Sequence, residues 1–575
     1  MLEEGYKRRV VSLMVFFLVI LGLLAARLGW LQVARGRQLA AIAANYHSRT
    51  VYYRWGHGGE GRGAILDRKL RPLTEAKLQQ GLAVFTCVGQ KYADYEYWLQ
   101  ALSEYAQICP EDIIRRSEQG KPLPLKKALP ADISLPHWIV PVSGEWDADG
   151  NFRRYSYGSL ACHVLGIIQP RYRGERAPGS LVGRLGIEKE YDQLLRCRRP
   201  GVSALVDARD RLIGGLGYRS TVQLSQQPNV VLTLDLEIQQ LAEKIFDDNI
   251  KQGAVPATGA IVVMDPHSGH ILAMVSRPVI EGSNYQHNRA SRKSNNVDML
   301  PLASLIKVVT AAAALERDEQ LLKCRFTCSG SMVLGENVFQ CAHGPHGEQN
   351  MADAVANSCN LYFAQLAMKV GAKDLLAMAA AMGLGSMPDI DLPASEVGAG
   401  NLPKPGDLAT AAGLANNFAM GGNKVEVTPL QAAAMLSTVA NGGWYVQPRL
   451  VLGVNLDLSK EVSMPEIKRE KIMSVATAKL VAKLLRNTVI QKQTCNFDHN
   501  LYAYAASALA AKTGTSDPVP PLGYHIRWCG GFFPWENPEF VVVYMAEVPP
   551  GTTRVGRGNI VAAIVEGLAA LQGKD

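Results

Sequence analysis

The sequence predicts an α+β fold in which one sheet, gathered from distant parts of the chain, is covered by helices, with one transmembrane helix ahead of it. Three observations carry this. Apolar residues run almost unbroken from Val10 to Val33. Strand-like segments stand at both ends of the region from Val230 to Asp575. Ala-rich helical segments fill its middle, so the two sets of strands must meet across them.

At 575 residues the chain is too long for one core; roughly 100–200 residues per domain gives two to four domains. Apolar content of 47% and charged content of 19% describe a globular protein rather than a disordered one. A net charge of +8 is mild for this length. It fits a neighbour of anionic lipid or polymer as readily as an ordinary solvated surface, and no nucleic-acid partner is expected.

Lys7, Arg8 and Arg9 close a short tail, residues 1–9. Residues 10–33 follow as an apolar stretch broken only by Arg27 and Gln32, long enough for a hydrocarbon core of about 30 Å. The basic cluster favours a cytoplasmic N-terminus, and Trp30 suits the outer interface. No A-x-A site closes the run, which favours a retained signal-anchor over a cleaved signal peptide. The remainder would then lie outside the cytoplasm.

Residues 34–229 are polar and show little periodicity. Gly56, Gly58 and Gly61 form a nominal G-x-G-x-x-G, but no strand precedes it and no helix follows, so a flexible turn is the better reading. "GRLGIEKEYDQLLRCRRPG" reads as a short helix between glycines. A boundary falls near 230. "VVLTL" reads as a strand, and Asp235 can cap the helix after it. "GAIVVMD" and "HILAMVS" flank the turn "PHSG" as a hairpin. "KVVTAAAALE", "DAVANSCNLYFAQLAMKV" and "LQAAAMLSTVANGG" are helical. Strands return in "IRWCGGFFP" and "FVVVYMAEV" around "WENP", and "NIVAAIVEGLAALQ" closes the chain as a helix.

Three elements could carry chemistry. Ser304 and Lys307 stand three residues apart at the head of an apolar helix, on one face. A lysine among Leu302, Leu305, Ile306 and Val308 loses hydration, which lowers its pKa and frees the amine to take a serine proton. A capping serine with a snorkelling lysine is the plainer alternative for this pair alone. It is the sole S-x-x-K in the sequence. Ser358 and Asn360 sit two apart before a helical pattern. Lys512, Thr513, Gly514 and Thr515 lie on an apparent strand, offering a cation and hydroxyls to a carboxylate, with Gly514 admitting close backbone approach. A further S-x-N at Ser294 falls out of order and reads as loop.

S-x-x-K, then S-x-N, then K-T-G, in this order, is the set of the serine penicillin-recognising enzymes. The chain resembles a class B penicillin-binding protein, a membrane-anchored peptidoglycan D,D-transpeptidase. "RGAILDRKLRPL", "GRLGIEKEYD", "LTLDLEIQQLAE", "VVMDPHSGHILAMVSRP" and "VTPLQAAAMLSTVANGG" extend the likeness over most of the sequence. "PLASLIK" stands where the family usually has Pro-Gly-Ser-x-x-Lys, and the Gly-Thr-Gly common before K-T-G is replaced by "VIQKQTCNFDHN".

The resemblance implies an antiparallel central sheet in a transpeptidase domain at 230–575, and an elongated pedestal of the dimerisation type at 34–229. It implies Ser304 as the acylated nucleophile, Lys307 as its base, and Ser358 as a proton shuttle. Asn360 would hold substrate backbone, and Lys512 to Thr515 would form the edge strand that receives the stem peptide. Backbone N–H groups of Ser304 and Thr515 would make the oxyanion hole. Implied partners are peptidoglycan stem peptides ending in D-Ala-D-Ala, β-lactams, the membrane and a polytopic glycosyltransferase. No cofactor is implied. A D,D-carboxypeptidase or β-lactamase-type hydrolase, or a catalytically weak scaffold, is the alternative.

Cys324, Cys328, Cys341, His343 and His346 crowd one segment. "FTCSGSMVLGENVFQC" reads as two strands around a turn, which brings Cys328 and Cys341 together and makes a disulfide the favoured reading over free thiols or a metal site. No metal is expected. Cys359 reads as a packed small residue.

Overall fold

The computed structural model of the chain describes residues 2–36, 39, 48–51, 62–75, 78–90, 92–118, 123–125, 127, 129–130, 133–136, 138–145, 154–170, 181–195, 202–205, 219–220, 228–280, 299–342, 344–421, 424–455, 466–491, 495, 497–520, 523–552 and 556–573. Gly56, Gly58, Gly61, Ser294 and His343 lie outside the described residues. Helix α1 (Leu2–Gly29) continues as a π-helical turn through Ala34. Its segment Lys7–Ala34 has a mean hydropathy of 2.5 and none of its apolar window is buried. It is long and apolar enough to cross a membrane and fits a single-pass anchor.

Compactness divides the chain into two units. One comprises residues 1–61, 77–152 and 198–225; the other comprises 62–76, 153–197 and 226–575. The expected division at 230 therefore shifts: two segments of the polar region fold with the C-terminal body.

In the first unit, strand β1 (Leu78–Val84) pairs antiparallel with β2 (Ile139–Glu145), Leu78 opposite Glu145. Between them run α2 (Tyr95–Ala106) and α3 (Pro110–Glu118). Tyr95, Leu99, Leu102 and Ala106 recur on one face of α2. That face packs with Leu82, Ile113 and Trp138. Neither helix is conspicuous in sequence, because α2 buries four residues and α3 only Ile113.

The second unit opens on the short strand Ile65–Leu66, which pairs parallel with β3 (Asn229–Leu232). Arg62 is buried beside it and bonds Glu188 and Asp192, 126 and 130 residues away. Asp235 caps α4 (Leu236–Lys251), its side chain accepting from the Glu237 N–H at 3.0 Å. Strands β4 (Gly259–Met264) and β5 (Ile271–Arg277) form the expected hairpin. After them come α5 (Ile306–Arg317), the hairpin β6 (Ser331–Leu334) and β7 (Asn337–Gln340), α6 (Asn360–Val370) and α7 (Pro429–Ala440). The chain closes with β8 (Ala510–Thr515), β9 (His525–Phe533), β10 (Phe540–Val548) and α8 (Arg557–Gln572).

The five-stranded sheet has the order β5-β4-β10-β9-β8, antiparallel throughout. Both faces are buried, which explains why β4, and β10 from Phe540 to Ala546, are continuously apolar rather than alternating. Val262, Met264, Val541 and Val543 point to the cluster containing α5 and α7. Ile261, Val263, Val542 and Tyr544 point to α4 and α8. Strand β8, carrying Lys512 to Thr515, is an edge of this sheet.

Candidate active site

Ser304 lies in a 3-10 turn, Ala303–Leu305, and α5 begins only at Ile306. Sequence reading opened the helix on Ser304 itself. The tighter turn follows an unusual backbone: Ala303 has φ 53°, in the left-handed region that favours glycine. Such a conformation persists when its surroundings over-determine it. Leu302 N donates to the Val425 carbonyl at 2.9 Å, and Trp528 Nε1 donates to the Pro301 carbonyl at 2.9 Å. Gly514 brings β8 against the turn; a Cβ there would stand 3.0 Å from Leu305 Cδ1 and 3.3 Å from the Leu302 carbonyl oxygen. Gly514 was expected to admit a ligand, but its missing side chain first of all admits the Ser304 turn.

Lys307 is 1% exposed, on a helix buried without interruption from Ile306 to Leu315. Its Nζ lies 2.9 Å from Ser304 Oγ, 2.7 Å from the Ser358 carbonyl, 3.2 Å from Ser358 Oγ and 2.7 Å from Asn360 Oδ1. Burial lowers its pKa to about 8, against smaller opposing effects of Cys359 and Cys341. The snorkelling alternative is thereby excluded: the amine turns inward to four oxygens.

Ser358 also occupies the left-handed region, at φ 51°. Asn360 starts α6, and Cys359 caps that helix, its sulfur accepting from Tyr362 N at 3.4 Å. Lys512 Nζ donates to Ser358 Oγ at 2.9 Å and to the Thr513 carbonyl at 2.8 Å. Ser304, Lys307, Ser358 and Lys512 thus form one continuous hydrogen-bonded series. Lys512 is fully buried, and burial, followed by the charges of Lys307 and Arg557, pushes its pKa well below the ordinary lysine value. Thr513 is buried and Thr515 exposed.

Arg557, at the head of α8, escaped sequence reading. Its Nη1 donates to the Gly514 carbonyl at 2.9 Å and to Thr515 Oγ1 at 2.6 Å, adding a cation at the exposed end of β8. "GRG" before the final helix was its only local trace.

Cys328 and Cys341 do approach one another, but as free thiols; the expected disulfide is not formed. His346 Nδ1 lies 3.5 Å from each of their sulfurs, and Cys359 joins them, its Sγ 3.8 Å from that of Cys341. Cys359 is therefore more than a packed small residue. Cys324 instead accepts through its carbonyl from Tyr362 Oη at 3.0 Å.

Comparison with known proteins gives one consistent family. The penicillin binding protein transpeptidase domain matches residues 259–567, and the penicillin-binding protein dimerisation domain matches residues 60–223. Stage V sporulation protein D of Bacillus subtilis is 26% identical over 580 residues, spanning 97% of this chain and 84% of that protein. Peptidoglycan D,D-transpeptidase PbpA of Mycolicibacterium smegmatis is 28% identical over 381 residues, 59% of this chain and 73% of that one. The crystal structure of penicillin-binding protein 3 from Mycobacterium tuberculosis, complexed with aztreonam, aligns with a TM-score of 0.60 at 20% identity, covering 90% of this chain and 97% of that chain.

Proposed function

The chain belongs to the penicillin-binding protein transpeptidase family, and we propose that its D,D-transpeptidase chemistry runs through an acyl-enzyme on Ser304. The observation that carries this is the 2.9 Å contact between Ser304 Oγ and a buried Lys307 amine whose pKa lies near 8.

At neutral pH a usable fraction of Lys307 is neutral. Its lone pair takes the Ser304 proton while Oγ attacks the carbonyl carbon of the penultimate D-Ala. The negative charge that develops on the carbonyl oxygen is met by the backbone N–H groups of Ser304 and Thr515. Collapse of the tetrahedral intermediate breaks the C–N bond. The leaving D-Ala amine receives a proton through Ser358 Oγ, which sits between the Lys307 and Lys512 amines. A second stem-peptide amine then attacks the acyl carbon and gives its proton to Lys307, which passes it to Ser304 Oγ as the acyl C–O bond breaks, and the cross-link is complete.

The substrate carboxylate belongs at Thr513 and Thr515, with Lys512 and Arg557 behind them. Burial and mutual repulsion press Lys512 toward neutrality, so an arriving carboxylate supplies the anion this cluster of cations favours. Asn360 Oδ1 holds Lys307, leaving its amide N–H groups for substrate backbone. The peptide itself adds to the free edge of β8 by strand pairing.

The family and the apolar α1 support a bacterial cell-membrane enzyme. We infer further that the N-terminus is cytoplasmic, that the chain beyond α1 lies outside the cell with the rest of the first unit as pedestal and the second unit as transpeptidase region, and that a polytopic glycosyltransferase supplies the glycan strand.

Fluorescent penicillin tests the assignment. The full-length chain should label covalently and Ser304→Ala should not. Labelling that survives Ser304→Ala overturns the nucleophile, and label lost within minutes marks a hydrolase.

A further inference from the structure

Behind the Ser358–Asn360 turn, four side chains converge from separated positions. Cys328 ends a short strand (Phe326–Cys328), Cys341 follows β7, His346 lies in the next turn and Cys359 caps α6. Each offers one donor atom, and the four donors all lie within 4.8 Å of one another.

The edges of this figure are diagnostic. A tetrahedral zinc ion takes sulfur at about 2.3 Å and imidazole nitrogen at about 2.0–2.1 Å, which sets S···S edges of about 3.8 Å and S···N edges of about 3.5 Å. The Cys341–Cys359 edge is 3.8 Å, and the edges from Cys328 and Cys341 to His346 Nδ1 are both 3.5 Å. A disulfide would need about 2.05 Å between sulfurs. Hydrogen bonding accounts for the figure less well: Nδ1 carries either one proton or one lone pair, yet meets two sulfurs at equal distance. Cys328 and Cys359 are buried, so the donors face an interior space rather than water.

We propose that Cys328, Cys341, His346 and Cys359 bind one zinc ion in a closed, four-ligand structural site that fixes the Ser358–Asn360 turn. Neither the expected disulfide nor the expected absence of metal survives this reading. Binding takes the three cysteines as thiolates and releases their protons. The Tyr362 N–H aimed at Cys359 Sγ is the kind of outer contact that orients a ligating thiolate.

The consequence for the cleft is direct. Cys359 is flanked by Ser358 and Asn360, both of which touch Lys307 Nζ. Ser358 is held at φ 51°, a conformation that a serine does not keep unaided. A cation gripping Cys359 from three other segments supplies that constraint. The ion touches no reacting atom; it positions residues that do.

The test uses the full-length chain, purified in detergent under reducing conditions without added chelator. Elemental analysis should find about one zinc per chain, falling at least tenfold in Cys341→Ser and unchanged in Cys109→Ser, whose thiol is exposed. After chelation, cobalt titration of the wild type should give thiolate-to-cobalt charge-transfer absorption that saturates at one equivalent. This measurement stands even if Cys341→Ser fails to fold. Absence of both zinc and the cobalt signal from the wild type overturns the site. So does a gain of thiols on reduction alone, which reports a disulfide, or full metal content in Cys341→Ser. Penicillin labelling is read separately, so loss of the zinc site and loss of the acylation reading are distinguishable.

Discussion

The Nζ of Lys307 lies 2.9 Å from the Oγ of Ser304, one helical turn before it. Three further oxygens, from Ser358 and Asn360, hold that amine in place. If the amine is the base, charge alone cannot replace it. Lys307→Arg keeps a cation of similar reach but never yields a neutral amine at working pH. Its acylation rate by fluorescent penicillin should drop by about 10²–10⁴, the range of a lost general base. A circular-dichroism melt close to wild type would show that the fold is intact. Near-normal labelling of Lys307→Arg would mean that Lys307 acts only by its charge.

The pH dependence follows from the same burial. Lys307 titrates at about 8 rather than at the ordinary lysine value of 10.5. Below that pH the amine is protonated and cannot accept, so acylation should rise about tenfold from pH 6 to 7 and level off above about 9. Burial sets the shift and Cys359 and Cys341 oppose it, while Lys307 in turn helps to lower the pKa of Lys512. Stability carries the same sign. The unfolded chain holds the proton up to about 10.5 while the folded one releases it near 8. The folded state is therefore penalised at low pH, and that penalty fades as pH rises across this window. A rate that falls with pH between 6 and 8 would contradict the base assignment.

Gly421 packs against the turn that carries Ser304. It has φ 82°, and a Cβ there would lie 2.2 Å from both the carbonyl carbon and the oxygen of Ala303. These are backbone atoms, so no side chain can swing aside. Gly421→Ala should destabilise the unit by about 2–4 kcal/mol, adding left-handed strain to overpacking. It should also slow penicillin acylation, because Ser304 follows the displaced residue. Gly406→Ala is the control, since nothing lies within 4 Å of its added Cβ. Equal melting temperatures for the two variants would show that the turn yields freely.

The elements that sequence made legible were those with a local cause. The β4–β5 hairpin shows in two apolar runs around a turn, and α4 in the Asp235 cap. Ser304, Lys307, Ser358, Asn360 and Lys512 were each visible as short motifs, and the fold brings them into one hydrogen-bonded series. What stayed hidden depends on distant segments. Arg557 reaches Thr515 across 42 residues, from a helix with no motif of its own. Cys359 meets Cys341 and His346 only after α6 packs beside the β6–β7 hairpin. The left-handed backbone of Ala303 and Ser358 is imposed by tertiary contacts against the preference of either residue.

The segment around Arg62 extends that lesson to domain organisation. Arg62 is 4% exposed, its Nη1 bonds Asp192 at 2.8 Å and its Nη2 bonds the Glu188 carbonyl at 2.6 Å. Glu188 is fully buried and receives the Nε as well. All three residues belong to the polar region that sequence reading gave to the pedestal, yet they are part of the compact unit that holds the catalytic sheet. Removing one partner of a buried ion pair leaves an uncompensated charge, at a cost of about 3–5 kcal/mol. Arg62→Ala should therefore lower the melting temperature of the unit that binds penicillin, and bound penicillin should recover part of the loss. Lys244→Ala, which breaks an exposed pair with Asp248 on α4, should leave that temperature unchanged. If Arg62→Ala melts like wild type, or destabilises only a transition that penicillin does not shift, residues 62–76 are not integral to the transpeptidase unit.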